Sequence, residues 1–473
     1  MKNLLFLLFP LFSAFSMSAQ EPYVVVPKHY GLIVTVDYDN DKLNGMCEIT
    51  LTNEGLQSVD SVSFLLYRLM KITGVSDIED QPLQYTQHIT EFDDFGKLQI
   101  NQIYVQKTLN PGESTTIKLS YSGYLLGYAE TGMKYIKDKI SPKFTFIRFD
   151  SYAYPYPCLP NFDMLRLSAS RKFDYSLTIN IPDSLAAICG GECVAHIVEN
   201  GMATYEYNSK LPVWRIDIAI ADYKKISGTF NTFYFSDEDA AQQIANKGNK
   251  CFQLYQQWWG ELKAYKGLTI IETEEGSGGQ TDETTILLPS EAFSDKSNYE
   301  YLFHELSHLW NVPIREEKGV SPRWEEGLAT FCQSLASEKL NDESFGYTKE
   351  KMNRNIRELN TQLSRNQQLK NTPLVEYGNK NMTGLSYTHG AIIFAILYYW
   401  LEEETFNNLI GGFYQQHYSI TSSTRMFTNY CIKHGKRKQL ETFFDDWIYT
   451  TGYSKHLTED TTIDDIVAIY RGK

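Results

Sequence analysis

Positions 304–308 read His-Glu-Leu-Ser-His, a run of side chains that can bind a metal ion and transfer a proton. In a helix, side chains four residues apart share one face, so His304 and His308 can bind a single metal ion. Glu305 lies beside them, where a carboxylate can take a proton from a metal-bound water. Two imidazoles with an adjacent glutamate are typical of a zinc metallopeptidase site. The alternative is a core helix whose histidines make ordinary hydrogen bonds.

The residues around this motif predict the helix that positions it. Ser297 followed by Glu300 forms a capping box, which predicts that the helix begins at Asn298. Pro313 ends the segment. One face of the helix would be buried by an apolar stripe that consists of Leu302, Phe303, Leu306 and Leu309.

A catalytic zinc ion usually has three protein ligands, and two nearby carboxylates are candidates for the third. Ser321 is a good N-cap and Pro322 suits the first helical position, so a second helix is predicted to begin here. Glu325 and Glu326 then lie in its first turns, and either could reach the metal. Helical periodicity slightly favours Glu325. The other glutamate would be a solvated acid stabilised by the helix dipole.

These two segments resemble the paired zinc helices of the aminopeptidase N-like gluzincin metallopeptidases, through residues 304–310 and 326–329. The resemblance implies one zinc ion (Zn2+) per chain, bound by His304, His308 and Glu326, with Glu325 as the alternative ligand. The loop between the second histidine and the glutamate is one residue shorter than is usual in the family.

A tyrosine further along the chain extends the resemblance. Residues 387–391 read Tyr-Thr-His-Gly-Ala, which is similar to the family's Tyr-x-Lys-Gly segment with His389 in place of the lysine. The resemblance implies that Tyr387 donates a hydrogen bond to the developing oxyanion. It extends over roughly residues 25–455, and the chain resembles a short member of the family without the C-terminal helical domain.

The family's Gly-Ala-Met-Glu-Asn substrate strand has a counterpart at residues 278–282, which read Gly-Gly-Gln-Thr-Asp. The resemblance places Gly278, Gly279 and Gln280 beside the substrate, since glycines let a peptide backbone approach closely. Thr281 stands where the family's glutamate binds the substrate's free amine. A flexible glycine loop is the alternative. Peptidase chemistry is therefore better supported than aminopeptidase specificity.

Charge and leader sequence restrict the partners and the compartment. The formal net charge of the 473 residues is −14, which argues against nucleic acid and anionic membranes as partners. Residues 1–19 have the pattern of a secretory signal peptide, and we expect a secreted or periplasmic protein. No later segment is apolar enough to predict a stable membrane span. Cys189 and Cys193 are close enough to pair in an oxidising compartment, or else remain buried thiols.

The order of the apolar patterns predicts an α+β multidomain protein. Short alternating runs predict an N-terminal all-β domain at residues 20–227, and the resemblance implies that it is saddle-like. A thermolysin-like domain of mixed strands and helices follows at 228–457, and residues 458–473 form a short C-terminal tail. Within the second domain, the sequence predicts a helix that reaches Trp259 and strands at 230–235, 268–273 and 284–288.

The resulting hypothesis is a secreted zinc metallopeptidase that acts on peptides, most simply as an aminopeptidase. In it, zinc lowers the pKa of its bound water to about 7. Glu305 acts as the general base and Tyr387 stabilises the oxyanion. Thr281 suggests an alternative, a zinc endopeptidase or a hydrolase of N-blocked peptides. A catalytically inactive interaction module is the alternative from another class.

Overall fold

The structure, a computed structural model, describes residues 22–169, 171–294, 298–316 and 319–471. It is a mixed α+β structure with an all-β region in the N-terminal part and a mostly helical C-terminal part. The predicted fold class is confirmed at this level. The predicted signal peptide and Ser297 of the predicted capping box lie outside the described residues.

Strands dominate the described residues as far as residue 226, where the one α-helix is α1 (Phe162–Ser168), of seven residues. In chain order the strands are β1 (Val25–Asp37), β2 (Lys42–Asn53), β3 (Val59–Tyr67), β4 (Met70–Asp77), β5 (Tyr85–Phe92), β6 (Phe95–Leu109), β7 (Ser114–Gly123), β8 (Thr145–Arg148), β9 (Tyr156–Pro157), β10 (Asp174–Pro182), β11 (Ala186–Ile188), β12 (Glu192–Glu199), β13 (Met202–Asn208), β14 (Asp217–Ala221) and β15 (Lys224–Ile226).

Two of the sheets in this region share one hydrophobic core. The larger has the strand order β12-β13-β10-β1-β2-β7-β4, with β1 and β10 parallel, and the smaller has the order β5-β6-β3-β9. Buried and partly exposed residues alternate along β10, as a strand with one face on a core requires. Buried side chains of both sheets form one cluster. Cys189 is buried and Cys193 is exposed, and both are free thiols.

The C-terminal part begins with short strands and continues as helices. Its elements are β16 (Asn231–Tyr234), α2 (Glu238–Trp259), β17 (Thr269–Thr273), β18 (Gln280–Thr281), β19 (Thr285–Pro289), α3 (Glu291–Ser294), α4 (Tyr299–Ser307), α5 (Trp324–Lys339), α6 (Tyr347–Arg365), α7 (Gln367–Lys370), α8 (Ser386–Leu401), α9 (Glu403–His417), α10 (Thr424–His434), α11 (Leu440–Phe444) and α12 (Ile463–Arg471). The three predicted strands and the predicted helix to Trp259 are confirmed as β16, β17, β19 and α2.

A five-stranded sheet joins the two parts of the molecule. Its order is β15-β16-β17-β19-β18, so the last strand of the N-terminal part begins it and the short strand β18 forms one edge. A three-stranded sheet, β11-β14-β8, packs against it through a small apolar cluster that contains Phe146, Ala219, Ile271 and Leu287. The N-terminal part is therefore held beside the edge that carries residues 280–281.

Helix α8 is the centre of the helical part and is buried on nearly all sides. It approaches α5 so closely that a Cβ on Gly327 would overlap the backbone of Gly390. Two glycines facing each other let the helix backbones meet, which brings Glu326 and Tyr387 together. Helix α12 also packs into this core. Within the described residues, none of the helices is both long enough and apolar enough to span a bilayer.

The predicted start of α5 is wrong. The helix begins at Trp324, and its N-cap is Arg323 in the left-handed region at a φ of 58° rather than Ser321. The hydroxyl of Ser321 accepts a hydrogen bond from the Arg323 N–H at 3.0 Å. The carbonyl of Pro322 accepts one from the Ser386 hydroxyl of α8. Because of these contacts, residues 321–323 turn outside the helix instead of forming its first turn.

The predicted bounds of the first zinc-motif helix also need correction. Helix α4 begins at Tyr299, one residue later than predicted, with Asn298 as N-cap. It ends at Ser307, and His308 begins a short 3-10 turn that extends to Trp310. The backbone of His308 remains helical, at a φ of −64°. His304 and His308 therefore still lie one turn apart on the same face.

Candidate metal centre and cleft

Three side chains from two helices converge at the candidate metal centre. His304 lies in α4, His308 follows that helix, and Glu326 lies in the first turn of α5. The Oε2 atom of Glu326 is 3.2 Å from His304 Nε2 and 3.4 Å from His308 Nε2. The three potential ligand atoms all lie within 4.8 Å of one another. Two imidazole nitrogens and one carboxylate oxygen at this spacing fit a tetrahedral zinc site with one position left for water.

The second nitrogen of each imidazole also has a partner. His304 Nδ1 is 2.8 Å from Gln333 Oε1, and His308 Nδ1 is 2.8 Å from the side-chain amide of Asn311. Gln333 donates in turn to Glu300 Oε2 at 3.1 Å. Outer hydrogen bonds of this kind fix the orientation of imidazole ligands. The Nε2 atoms are thereby held toward Glu326.

The electrostatics of the centre also suit a cation. Burial opposes ionisation of Glu326, but the charge of His308 and hydrogen bonds from both imidazoles outweigh it and hold the pKa of the carboxyl well below its ordinary value. Burial alone would lower the pKa of His308, yet Glu326, Glu305 and Glu325 raise it to about 9. A site that binds a proton this strongly has a negative potential, and a metal ion would displace that proton.

The other oxygen of Glu326 is held by an arginine. Arg323, in the left-handed turn before α5, forms an ion pair with Glu326 Oε1, which leaves Oε2 facing the two imidazoles. Glu325, the alternative ligand, also lines the cleft, but its side chain is not in the three-residue cluster. Among the described residues, Glu325 Oε2 has no hydrogen-bond partner. The geometry thus favours Glu326 over Glu325.

Glu305 lies next to the cluster and is oriented by the neighbouring strand. Its side chain is buried, and the Thr281 hydroxyl of β18 donates to its Oε2 atom at 2.6 Å and to its backbone carbonyl at 3.1 Å. A Cβ on Gly279 would overlap the Glu305 carboxylate. Thr281 therefore positions the candidate base, and Gly279 is needed because strand and carboxylate approach so closely.

Tyr387 lies beside His304 of the centre, in the first turn of α8. Its ring stacks on the His304 imidazole with centroids 5.9 Å apart and planes 8° apart. The side chain is 36% exposed and lines the cleft. Burial and the charge of Glu326 raise the pKa of the Tyr387 phenol above its ordinary value. The phenol is therefore protonated at neutral pH and can donate a hydrogen bond.

The predicted substrate residues line the same cleft. Gly278, Gly279 and Gln280 form its edge, and Gly278 has a φ of +75° that favours glycine. Gln280 donates a hydrogen bond to Asp150 Oδ2 at 3.1 Å. Burial would raise the pKa of Asp150, but its ion pair with Arg215 holds that pKa below its ordinary value. The edge strand is thus tied to the N-terminal part by charged and polar contacts.

The cleft itself lies between the two parts of the molecule. Its volume is about 810 Å³, and both the β-rich part and the helical part line it. The structure brings the predicted ligands, base and tyrosine together in this cleft. Sequence reasoning missed Arg323, Gln333, Asn311, Asp150 and Arg166. Asn311, three residues after His308, and Arg323, three residues before Glu326, had a local signal, because side chains at that spacing on a helix are neighbours.

His389, the residue that departs from the family's lysine, lies in the core rather than in the cleft. It is fully buried, and its Nδ1 atom is 2.9 Å from the Tyr377 hydroxyl. Its Nε2 atom has no partner among the described residues. Burial lowers the pKa of His389 to about 3. The neutral imidazole is therefore a structural group of the α8 core.

This buried histidine makes stability depend on pH. Below a pH of about 6.5 the unfolded chain takes up a proton on His389 while the folded chain does not, so stability falls with pH until the folded pKa is reached. At pH 5 the loss from this group is about 2 kcal/mol. We expect His389→Phe to lose less unfolding free energy between pH 7.5 and pH 5 than the wild type, as measured by urea titration. Tyr377→Phe keeps His389 and should lose as much unfolding free energy over this pH range as the wild type. If His389→Phe loses the same amount as the wild type, His389 is not the group that causes the pH dependence.

Comparison with known proteins identifies the fold of the chain. No family model and no curated protein sequence matches the chain. Among solved structures, it is similar to a mutant M1 zinc metallopeptidase from Deinococcus radiodurans bound to a Tyr-Ser-Ala substrate, with 15% identity, a TM-score of 0.63 and coverage of 91% of this chain and 95% of that chain.

Two further structures give the same result. The M1 zinc metallopeptidase from Deinococcus radiodurans is 15% identical with a TM-score of 0.61 and coverage of 91% of this chain and 95% of that chain. A mutant two-domain M1 zinc metallopeptidase bound to L-arginine is 14% identical with a TM-score of 0.63 and coverage of 90% and 94%. The chain therefore has the fold of these M1 zinc metallopeptidases over about nine tenths of its length.

Proposed function

We propose that the protein is a zinc-dependent peptidase with one zinc ion per chain, and that it acts as an aminopeptidase on peptides. The observation that carries this proposal is the convergence of His304, His308 and Glu326 beside Glu305 and Tyr387 in a single cleft. The structural neighbours add support, because they are zinc metallopeptidases, one of them bound to a tripeptide substrate.

The chemistry follows from the positions of these side chains. A zinc ion held by the three ligands would supply an acidified water and polarise the scissile carbonyl. Glu305, oriented by Thr281, takes the proton of the attacking water and delivers it to the departing amine. Tyr387 donates its phenolic proton in a hydrogen bond to the oxygen that becomes negative in the transition state. Arg323 keeps Glu326 turned toward the imidazoles.

The tyrosine can be tested separately from the metal. In Tyr387→Phe we expect kcat to fall by about 10²-fold with a smaller change in KM, since the hydrogen bond strengthens as the oxyanion forms. Tyr418→Phe removes another phenol from the same cleft and should retain wild-type kcat. Steady-state kinetics on one peptide measures both variants. An unchanged kcat in Tyr387→Phe would assign the oxyanion to another donor.

One observation favours a second candidate within the hydrolases. Thr281 is neutral and its hydroxyl is occupied by Glu305, so this position offers no carboxylate to a substrate amine. A zinc endopeptidase, or a hydrolase of N-blocked peptides, needs no such carboxylate. The two candidates therefore differ in whether a free N-terminus is required.

A single set of measurements separates these candidates. The purified protein is first assayed for zinc per chain, and then for chelator-sensitive cleavage of matched peptides with free and acetylated N-termini. Cleavage of the free peptide alone supports an aminopeptidase, and cleavage of both supports an endopeptidase. Binding of zinc without any cleavage would reject the peptidase proposal and leave a non-catalytic interaction module.

The finer architecture and the compartment belong to the same proposal. We propose a saddle-like β-domain at 20–227, a thermolysin-like catalytic domain at 228–457 and a short terminal segment at 458–473. The pattern of residues 1–19 supports a cleaved signal peptide and a secreted or periplasmic protein. N-terminal sequencing of the exported protein should begin at Gln20, and retention of the full leader in the cytoplasm would contradict export.

A further inference from the structure

Two guanidinium groups face the cleft from opposite parts of the molecule. Arg166 lies in α1 of the β-rich part, and Arg323 lies at the start of α5. Burial lowers the pKa of Arg166, and the charge of Arg323 lowers it further. Both guanidinium groups line the same cleft, and Thr383, which contacts Arg166, lies three residues before Ser386, which donates to the carbonyl of Pro322 next to Arg323. An anion between two like charges placed in this way would relieve their repulsion.

Arg166 has weak partners in the structure. Its ion pair with Asp163 is long, at 3.9 Å, and its hydrogen bond to the Thr383 hydroxyl is 3.4 Å. It also lies over the Phe162 ring, 5.3 Å from the centroid. The nearby Asp94 carboxylate accepts hydrogen bonds from two backbone N–H groups at the start of α1. Most of the donor capacity of Arg166 thus remains available to a ligand.

Two other cations of the cleft, Lys172 and Arg215, differ in this respect. Lys172 forms an ion pair with Glu283, and Arg215 forms ion pairs with Asp150 and Asp217. Their charges are neutralised by the protein itself. Arg166 is partly desolvated, with 26% of its side chain exposed, and has no comparably short ion pair in the part of the chain that the structure describes.

Arg323 connects this position to the reaction centre. One arm of its guanidinium holds Glu326, and 42% of the side chain remains exposed toward the cleft. The left-handed backbone at Arg323 is unusual for a residue other than glycine and turns the side chain to this position. Thr383, the hydrogen-bond partner of Arg166, lies four residues before Tyr387. An anion between the two arginines would lie next to the groups that act on the peptide bond.

We infer that Arg166 and Arg323 form a carboxylate subsite, and that the peptidase prefers peptides that place a carboxylate there. The inference rests on the proposed function, because the ligand is a peptide substrate. The parallel N–H donors of a guanidinium group pair better with the two oxygens of a planar carboxylate than with any other group of a peptide. The partly buried position strengthens this pairing. The carboxylate comes from an acidic side chain or from the C-terminus of a short peptide.

Four matched peptides distinguish these sources. Asn-Asn-Ala-amide carries no carboxylate. Asp-Asn-Ala-amide, Asn-Asp-Ala-amide and Asn-Asn-Ala with a free C-terminus each carry one, at a different position. We expect the wild type to prefer one of the three over the neutral peptide by about tenfold or more in kcat/KM, mainly through KM, given what hydrogen bonds to charged groups contribute. The preferred peptide identifies the source of the carboxylate.

Variants then assign the preference to the subsite. Arg166→Gln should lower kcat/KM for the preferred peptide about tenfold more than for the neutral peptide, and Arg166→Lys should restore part of the difference. Lys172→Gln removes one positive charge from the same cleft and should keep the wild-type preference. If Arg166→Gln still prefers the carboxylate peptide, or if Lys172→Gln loses the preference to the same extent, Arg166 does not form the carboxylate subsite.

The same peptides separate failure of the inference from failure of the proposed function. Equal cleavage of all four peptides by the wild type overturns the carboxylate subsite and leaves the peptidase proposal intact. If none is cleaved, calorimetry on zinc-loaded Glu305→Gln protein measures binding alone. Tighter binding of one carboxylate peptide, abolished by adding Arg166→Gln, supports the subsite even though the peptidase proposal fails. Equal binding of all four peptides overturns it.

Discussion

Replacement of Glu305 by glutamine is expected to reduce kcat by about 10²–10⁴-fold, the range typical for loss of a general base. Glutamine keeps the volume of the side chain and can still accept the hydrogen bond from Thr281, but it cannot take a proton from water. Its neighbours His304 and His308 are unchanged, so zinc should remain bound. The measurement is kcat on one peptide together with zinc per chain.

The effect of Glu305→Gln needs a control in the same cleft. Glu283→Gln makes the identical chemical change at a carboxylate paired with Lys172, outside the metal centre, and should keep near wild-type kcat. Thr281→Val removes the hydroxyl that orients Glu305, and its kcat should lie between those of Glu305→Gln and Glu283→Gln. A Glu305→Gln protein that turns over peptide at the wild-type rate would exclude Glu305 as the base.

Replacement of Glu326 by glutamine is expected to remove both zinc and activity. Loss of an outer hydrogen-bond partner of a metal ligand typically costs roughly 10- to 100-fold in metal affinity, and loss of the ligand itself should cost more. Arg323 would also lose the carboxylate with which it pairs, leaving another positive charge beside the metal. Zinc affinity is measured by competition with a chelator, and activity is measured at saturating zinc.

The adjacent residue provides the matched comparison for this prediction. Glu325→Gln alters a carboxylate one position away that lines the same cleft but lies outside the cluster of ligand atoms. Burial and the nearby charge of Glu326 raise the pKa of Glu325, although Arg323 opposes this. We expect Glu325→Gln to keep zinc. The reverse result, with zinc lost in Glu325→Gln and kept in Glu326→Gln, would exchange the two assignments.

The start of α5 shows why sequence reasoning left these two glutamates undecided. Capping rules applied to Ser321 and Pro322 place the helix start too early, and periodicity then slightly favours Glu325. In the structure, contacts of Ser321 and of Pro322 with other groups hold Arg323 in a left-handed turn, so the helix begins at Trp324. A local rule fails here because a contact with α8 determines the backbone.

Features that depend on residues close together in the chain could be predicted from the sequence. The spacing of His304 and His308 brings their imidazoles to one helical face, and the short alternating apolar runs before residue 227 predict strands there. Local steric geometry sets both patterns. They hold even though His308 lies in a 3-10 turn rather than in the α-helix.

Contacts between groups far apart in the chain could not be predicted from the sequence. Glu326 reaches His304 across 22 residues, Thr281 reaches Glu305 across 24, and Arg166 reaches Thr383 across 217. The close contact of α5 and α8 and the packing of the β-rich part beside β18 create these pairs. Each pair depends on the path of the whole chain, so side-chain types and short-range spacing do not specify it.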